Sequence, residues 1–105
     1  MNANSPSPTL KQILERLNEA LPELKKNYGI TQIGVFGSYV RGEQTPDSDL
    51  DLLVEFDRDR RFGLLTFCEL ENRLSDRLGV KVDLVMKTGL KPRIGERILA
   101  EVRYL

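Results

Sequence analysis

Apolar residues recur at Leu10, Ile13, Leu14, Leu17, Leu21 and Leu24, the three-and-four spacing that marks one face of a helix. Thr9 stands before them with Gln12 three residues on, a capping-box pair, and Gly29 follows as a stop. Pro22 is expected to divide this stretch into a long helix and a short second one. At Ile30 the pattern changes to ITQIGVF, a strand that Gly37-Ser38 interrupts. Residues 38–42 fit a short helical turn, and EQTPDS reads as a loop. Residues 49–56, DLDLLVEF, alternate. Asp49, Asp51, Leu53 and Glu55 fall on one face; Leu50, Leu52, Val54 and Phe56 fall on the other. After a charged loop, DRDRR at 57–61, Phe67, Leu70, Leu74 and Leu78 form a second helical stripe within 63–78, closed by Gly79. VKVDLVM, residues 80–86, is a third strand with Asp83 opposite its apolar face. Thr88-Gly89 makes a turn, and Pro92 opens a last helix whose Ile94, Ile98 and Val102 are expected to face inward.

The order α-β-α-β-α-β-α implies an α/β fold, a small mixed sheet with helices on one face. Residues 1–8, MNANSPSP, are expected to be a flexible N-terminal arm. Residues 9–105 are expected to be a single domain, the ordinary size for one core. Sixteen basic residues balance sixteen acidic ones. That balance offers no whole-molecule attraction for nucleic acid, and none is expected as a direct partner. Neither a membrane-spanning run nor a signal-peptide pattern is present, and the single cysteine, Cys68, leaves no internal disulfide; a cytoplasmic location with no membrane partner is the expectation. Cys68 itself reads as a core residue. The chain has no histidine, which excludes Ser-His-Asp hydrolysis, Cys-His catalysis and His-based zinc sites.

Carboxylates and a hard cation are left to carry any chemistry. Asp49 and Asp51 lie two apart on a strand, about 7 Å along the backbone on one face. Charges that close repel unless a cation lies between them, and oxygen donors of this kind suit Mg²⁺. If the strand carrying Asp83 lies beside them, three acids converge, the donor set that can hold two Mg²⁺ ions for phosphoryl or nucleotidyl transfer. On its own, an Asp-x-Asp pair on a strand is more often a solvated face. Gly37-Ser38, at a strand end, lets backbone approach a phosphate closely. Arg41, three residues on from Ser38, is placed either to touch phosphate oxygens or to pair with Glu43. Tyr39 is placed to pack or to stack on a nucleotide, packing being the commoner outcome.

The stretch GSYVRGEQTPDSDLD resembles the signature of the DNA polymerase β-like nucleotidyltransferase superfamily: Gly-Ser, ten intervening residues, then Asp-x-Asp. Gly37, Ser38, Asp49 and Asp51 occupy the motif positions, and Asp83 in VDLV matches the later acid. Over residues 10–105 the chain is most similar to the minimal nucleotidyltransferases, the MntA-type antitoxins. The resemblance implies the polymerase β-like fold and Mg²⁺, as two ions, held by Asp49, Asp51 and Asp83. It also implies ATP as substrate, its phosphates held by Gly37 and Ser38, and Asp83 assisting deprotonation of the acceptor. It further implies transfer of AMP to a tyrosine of a HEPN-type RNase toxin. The chain shows no further helical domain of the kind larger superfamily members carry, so the acceptor or a partner is expected to complete the site. Two other readings stand beside this one: an antitoxin that acts by stoichiometric binding without catalysis, and transfer to an RNA end or a small molecule.

Overall fold

The computed structural model describes residues 8–59 and 63–105. The N-terminal arm therefore lies outside the described residues except for Pro8, which is buried, and the loop 57–61 is described only through Asp59. The first helix, α1 (Leu10–Tyr28), begins with the expected capping box: Gln12 N–H donates to Thr9 Oγ1 and Thr9 N–H to Gln12 Oε1. Gly29, in the left-handed conformation at φ 69°, ends it. Pro22 does not divide this helix. It is exposed, so water can solvate the carbonyl one turn back that loses its N–H partner, and packing of the buried stripe Ile13, Leu17, Ala20 and Leu24 outweighs the break.

Strand β1 (Ile30–Phe36) leads into a single helical turn, α2 (Ser38–Arg41), and then to β2 (Leu50–Phe56). Helix α3 (Leu64–Leu78) crosses to β3 (Val82–Met86), and a 3-10 turn at Lys87–Gly89 leads to α4 (Pro92–Glu101). A strand absent from the sequence expectation, β4 (Arg103–Tyr104), closes the described chain. The sheet order is β3-β2-β1-β4. β1 pairs antiparallel with β2 and β4, and β2 runs parallel to β3. The parallel pair requires a crossover, which α3 supplies.

The even positions of β2 join α1, α3 and Tyr39 in the main core, as the alternation implies. The α/β class and mixed sheet hold, but one detail differs. The last helix covers the opposite face, where Ile98 packs on Phe36 and Leu53. Leu53, an apolar residue on the acid-bearing face, requires that cover; helices on one face alone would have left it in water. The expected inward stripe of α4 is correspondingly shifted: Ile98 is buried while Ile94 remains 57% exposed. Cys68 is exposed rather than core.

The edge strand β3 carries Asp83, and α3 fixes it through two side chains. Ser75 Oγ accepts the Val82 N–H and Glu71 Oε2 the Leu84 N–H, each at 2.9 Å. These bonds satisfy outward-facing donors that an edge would otherwise present to another chain. Glu71→Ala is expected to lower stability by about 1–3 kcal/mol in denaturant unfolding, since it orphans a donor bonded to a charged acceptor. Glu71→Gln, which keeps an acceptor, is expected to lose less than half of that.

Candidate active site

The antiparallel pairing of β1 with β2 sets Phe36 opposite Asp51, and the parallel pairing of β2 with β3 sets Asp51 opposite Asp83. One register therefore brings the end of β1 and two of the three acids together. Asp49, immediately before β2, and Asp83 are exposed, whereas Asp51 is half-buried between them. Burial, and then the charges of Asp83 and Asp49, push the Asp51 carboxyl up to about 6; Arg41 opposes the shift and Glu101 adds to it.

That elevation has a definite sign. A carboxyl whose pKa is higher folded than unfolded (ordinarily about 3.9) opposes folding once ionised. The penalty is complete above pH about 6 and fades as the pH falls towards 4. Asp51→Asn is therefore expected to melt at a higher temperature than the unaltered chain at pH 8 with a chelator present, the gap closing towards pH 4. Thermal melts of both proteins across this range measure it.

Gly37 follows β1 with φ 81° and ψ −153°, a combination open in practice to glycine alone. The lack of a side chain matters sterically as well, because a Cβ at Gly37 would collide with the Asp51 carboxylate. Glycine thus lets the turn lie against the acid. Ser38 opens α2, and the Gly37 carbonyl accepts from the Val40 and Arg41 N–H groups. Arg41 pairs with Glu43, one of its two expected roles, through Nε at 2.9 Å; its Nη1 reaches both oxygens of Glu101, at 3.0 and 3.1 Å. Glu101 Oε2 also accepts the Gly37 N–H at 2.7 Å.

A cleft of about 240 Å³ opens here, lined by Gly37, Arg41, Asp51, Ile94, Arg97 and Glu101 among others. Ile94, expected in the core, thus forms part of its wall. Tyr39 does not face the cleft: it lies 2% exposed in the main core, its hydroxyl without a hydrogen-bond partner among the described residues. A larger cavity of about 690 Å³, bordered by Phe56, Phe67 and Met86, contains none of the three aspartates. Glu55, Asp57 and Arg58 line that cavity as well, so neither volume nor charge alone assigns the chemistry; the smaller cleft is the one that reaches Asp51 and the Gly37 turn. Lys87, on the turn after β3, turns back on the sheet, bonding Gln32, pairing with Glu55 and lying over the Tyr104 ring.

The donor set suits a hard divalent cation: carboxylates in register, one of them partly desolvated by its neighbours and backbone. Among the described residues, no three Asp, Glu, Cys or His side chains are drawn closely enough together to grip a metal as they stand. Among the same residues, no helix is long and apolar enough to cross a membrane.

Sequence reasoning passed over Glu101 and Arg97. The available clue was spacing: Glu101 lies seven residues after Ile94 and three after Ile98, so it continues the stripe of α4 with a charge where an apolar residue would be expected.

The model of the nucleotidyltransferase domain family matches residues 14–105. The protein adenylyltransferase MntA of Thermococcus cleftensis is 48% identical over 97 residues, 92% of this chain and 96% of that protein. A solved structure named as a minimal nucleotidyltransferase superposes with TM-score 0.77 at 40% identity, covering 96% of this chain and all of that one. A chain from the Shewanella oneidensis complex of a tri-AMPylated HEPN toxin with its MNT antitoxin shares the fold, with TM-score 0.64. It is 20% identical and covers 88% of this chain and 70% of that one.

Proposed function

This chain belongs to the nucleotidyltransferase domain family and is a nucleotidyltransferase; from that premise we propose that it is an antitoxin that moves AMP from ATP onto a tyrosine of a HEPN-type toxin. The observation that carries the site assignment is the register that sets Asp51 against Asp83 with the Gly37 backbone pressed on the Asp51 carboxylate. The 48% identity to a protein adenylyltransferase over 92% of this chain supports a protein acceptor, and the fold shared with the toxin–antitoxin complex supports the kind of partner.

In this reading Asp49, Asp51 and Asp83 hold Mg²⁺, as two ions. Bound there, the metal neutralises charge on the phosphoryl oxygens. Gly37, Ser38 and Arg41 hold the outer phosphates through backbone N–H, hydroxyl and guanidinium donors. Asp83, exposed on the edge strand, takes the proton from the acceptor hydroxyl as its oxygen attacks the α-phosphorus. The bond from that phosphorus to the bridging oxygen breaks, and pyrophosphate leaves. Alignment and fixed electrostatics supply most of the acceleration.

Two parallel reactions test the assignment. The protein is incubated with Mg²⁺, the protein encoded beside it, and ATP labelled at either the α- or the γ-phosphate. Retention of the α-label alone on that protein is the expected outcome. Retained γ-label would mean phosphoryl transfer, and α-label recovered only in RNA or a small molecule would replace the proposed acceptor. Unlabelled toxin that is still neutralised would favour stoichiometric binding.

A further inference from the structure

Glu101 holds two of the groups assigned above to phosphate. Its carboxylate accepts the Gly37 N–H and pairs with Arg41 through both oxygens. A carboxylate and a phosphate oxygen make the same demands on these partners, since both are anionic acceptors for N–H and guanidinium donors. A backbone N–H offers one hydrogen. A phosphate oxygen can therefore take the full Gly37 bond only when Glu101 gives it up.

The fold sets this carboxylate in place from a distance in sequence. Glu101 ends α4, and β4 then pairs with β1 through Gly34 opposite Tyr104 and Val35 opposite Arg103. Leu105 N–H donates to the Ile33 carbonyl and extends the register. Gly34 makes this approach possible, because a Cβ there would come within 2.6 Å of Val102 and 3.0 Å of Tyr104. The strand pairing thus anchors the end of α4 beside the end of β1, where the Gly37 turn begins. Glu101 also adds negative charge beside Asp51, so its presence disfavours a further anion twice, by occupying donors and by repulsion.

We propose that Glu101 is an internal anion occupying the phosphate seat, and that a nucleotide triphosphate binds by displacing it from Gly37 and Arg41. The proposal rests on the nucleotide reading above. The opposite role would be that of a positioning residue, with Glu101 holding the turn and Arg41 ready for phosphate. The two roles predict opposite changes in affinity.

Calorimetric titration separates them, using the full chain, Glu101→Gln and Glu101→Ala with Mg²⁺. The probes are inorganic tripolyphosphate, which has no base or ribose, and α,β-methylene ATP, which cannot transfer its AMP. Displacement predicts tighter binding of both probes: severalfold for Glu101→Gln, which keeps an uncharged acceptor, and about tenfold for Glu101→Ala, the scale of losing one charged competitor. The Gly37 amide resonance of the unaltered chain should also move on adding tripolyphosphate, towards the position it takes in the saturated Gln variant. Glu101→Gln is nearly isosteric and keeps the test available should the alanine variant fold poorly. Affinity unchanged or weakened in a folded Gln variant, with the unaltered chain still binding, overturns displacement and leaves the nucleotide reading intact. Failure of all three proteins to bind either probe overturns the nucleotide reading, and the displacement model with it.

Discussion

Gly37→Ala is expected to lower the rate of nucleotidyl transfer by about a hundredfold or more, while making the fold less stable by about 2 kcal/mol. Two independent costs add here. The backbone at φ 81° and ψ −153° is one that a residue with a side chain adopts only under strain, worth about 1–3 kcal/mol. The added methyl would also meet the Asp51 carboxylate, which must move or force the turn away. Either displacement disturbs the reacting geometry, and a shift of about 1 Å is enough for a hundredfold loss. Denaturant unfolding reads the first effect and initial rates the second. Gly42→Ala is the control for left-handed strain without the collision: that glycine has φ 72°, and a Cβ there has open space around it. It should lose stability and keep most of its activity.

Asp51→Asn is expected to do the reverse to stability while costing more in rate. The carboxylate is half-buried and repelled by Asp49 and Asp83, so its amide counterpart relieves the fold near neutral pH. The same change removes a ligand charge that the proposed chemistry cannot do without, and about a hundred- to thousandfold loss of rate is the scale for deleting one such electrostatic contributor. Asp83→Asn should slow transfer on a similar scale. Because Asp83 is exposed, that variant should gain less stability than Asp51→Asn. A protein that grows more stable as it loses activity is the expected mark of charges gathered for function at the expense of the fold. Initial rates and melts of the same two preparations check both halves.

The acids were legible in the sequence because their positions break a rule. Asp is a poor strand former, yet in DLDLLVEF and VKVDLVM it fills polar positions of strands that are otherwise largely apolar. Strand register then brings Asp51 to Asp83 without any help from loops. Gly37 was legible as a turn, but its contact with Asp51 depends on how β1 and β2 pair, which no local pattern contains. The proline rule failed at Pro22 because the rule weighs a lost hydrogen bond and not the packing of a buried stripe on the other side of the helix. β4 was hidden for a different reason. Two residues, Arg103 and Tyr104, show no alternation, and they pair only because Gly34 on a distant strand leaves room for them. With β4 unseen, the end of α4 had no fixed place, and nothing in the sequence tied Glu101 to the Gly37 turn. Leu53 was the overlooked clue that something must cover the acid-bearing face.

Intact mass of the partner tests the central claim most directly. The neighbouring protein is co-expressed either with the unaltered chain or with its Asp49→Ala/Asp51→Ala variant, purified, and weighed by mass spectrometry. The account predicts a mass increased by one or more AMP units with the unaltered chain and the bare polypeptide mass with the variant. An unmodified partner in both, still bound and still neutralised, would contradict it.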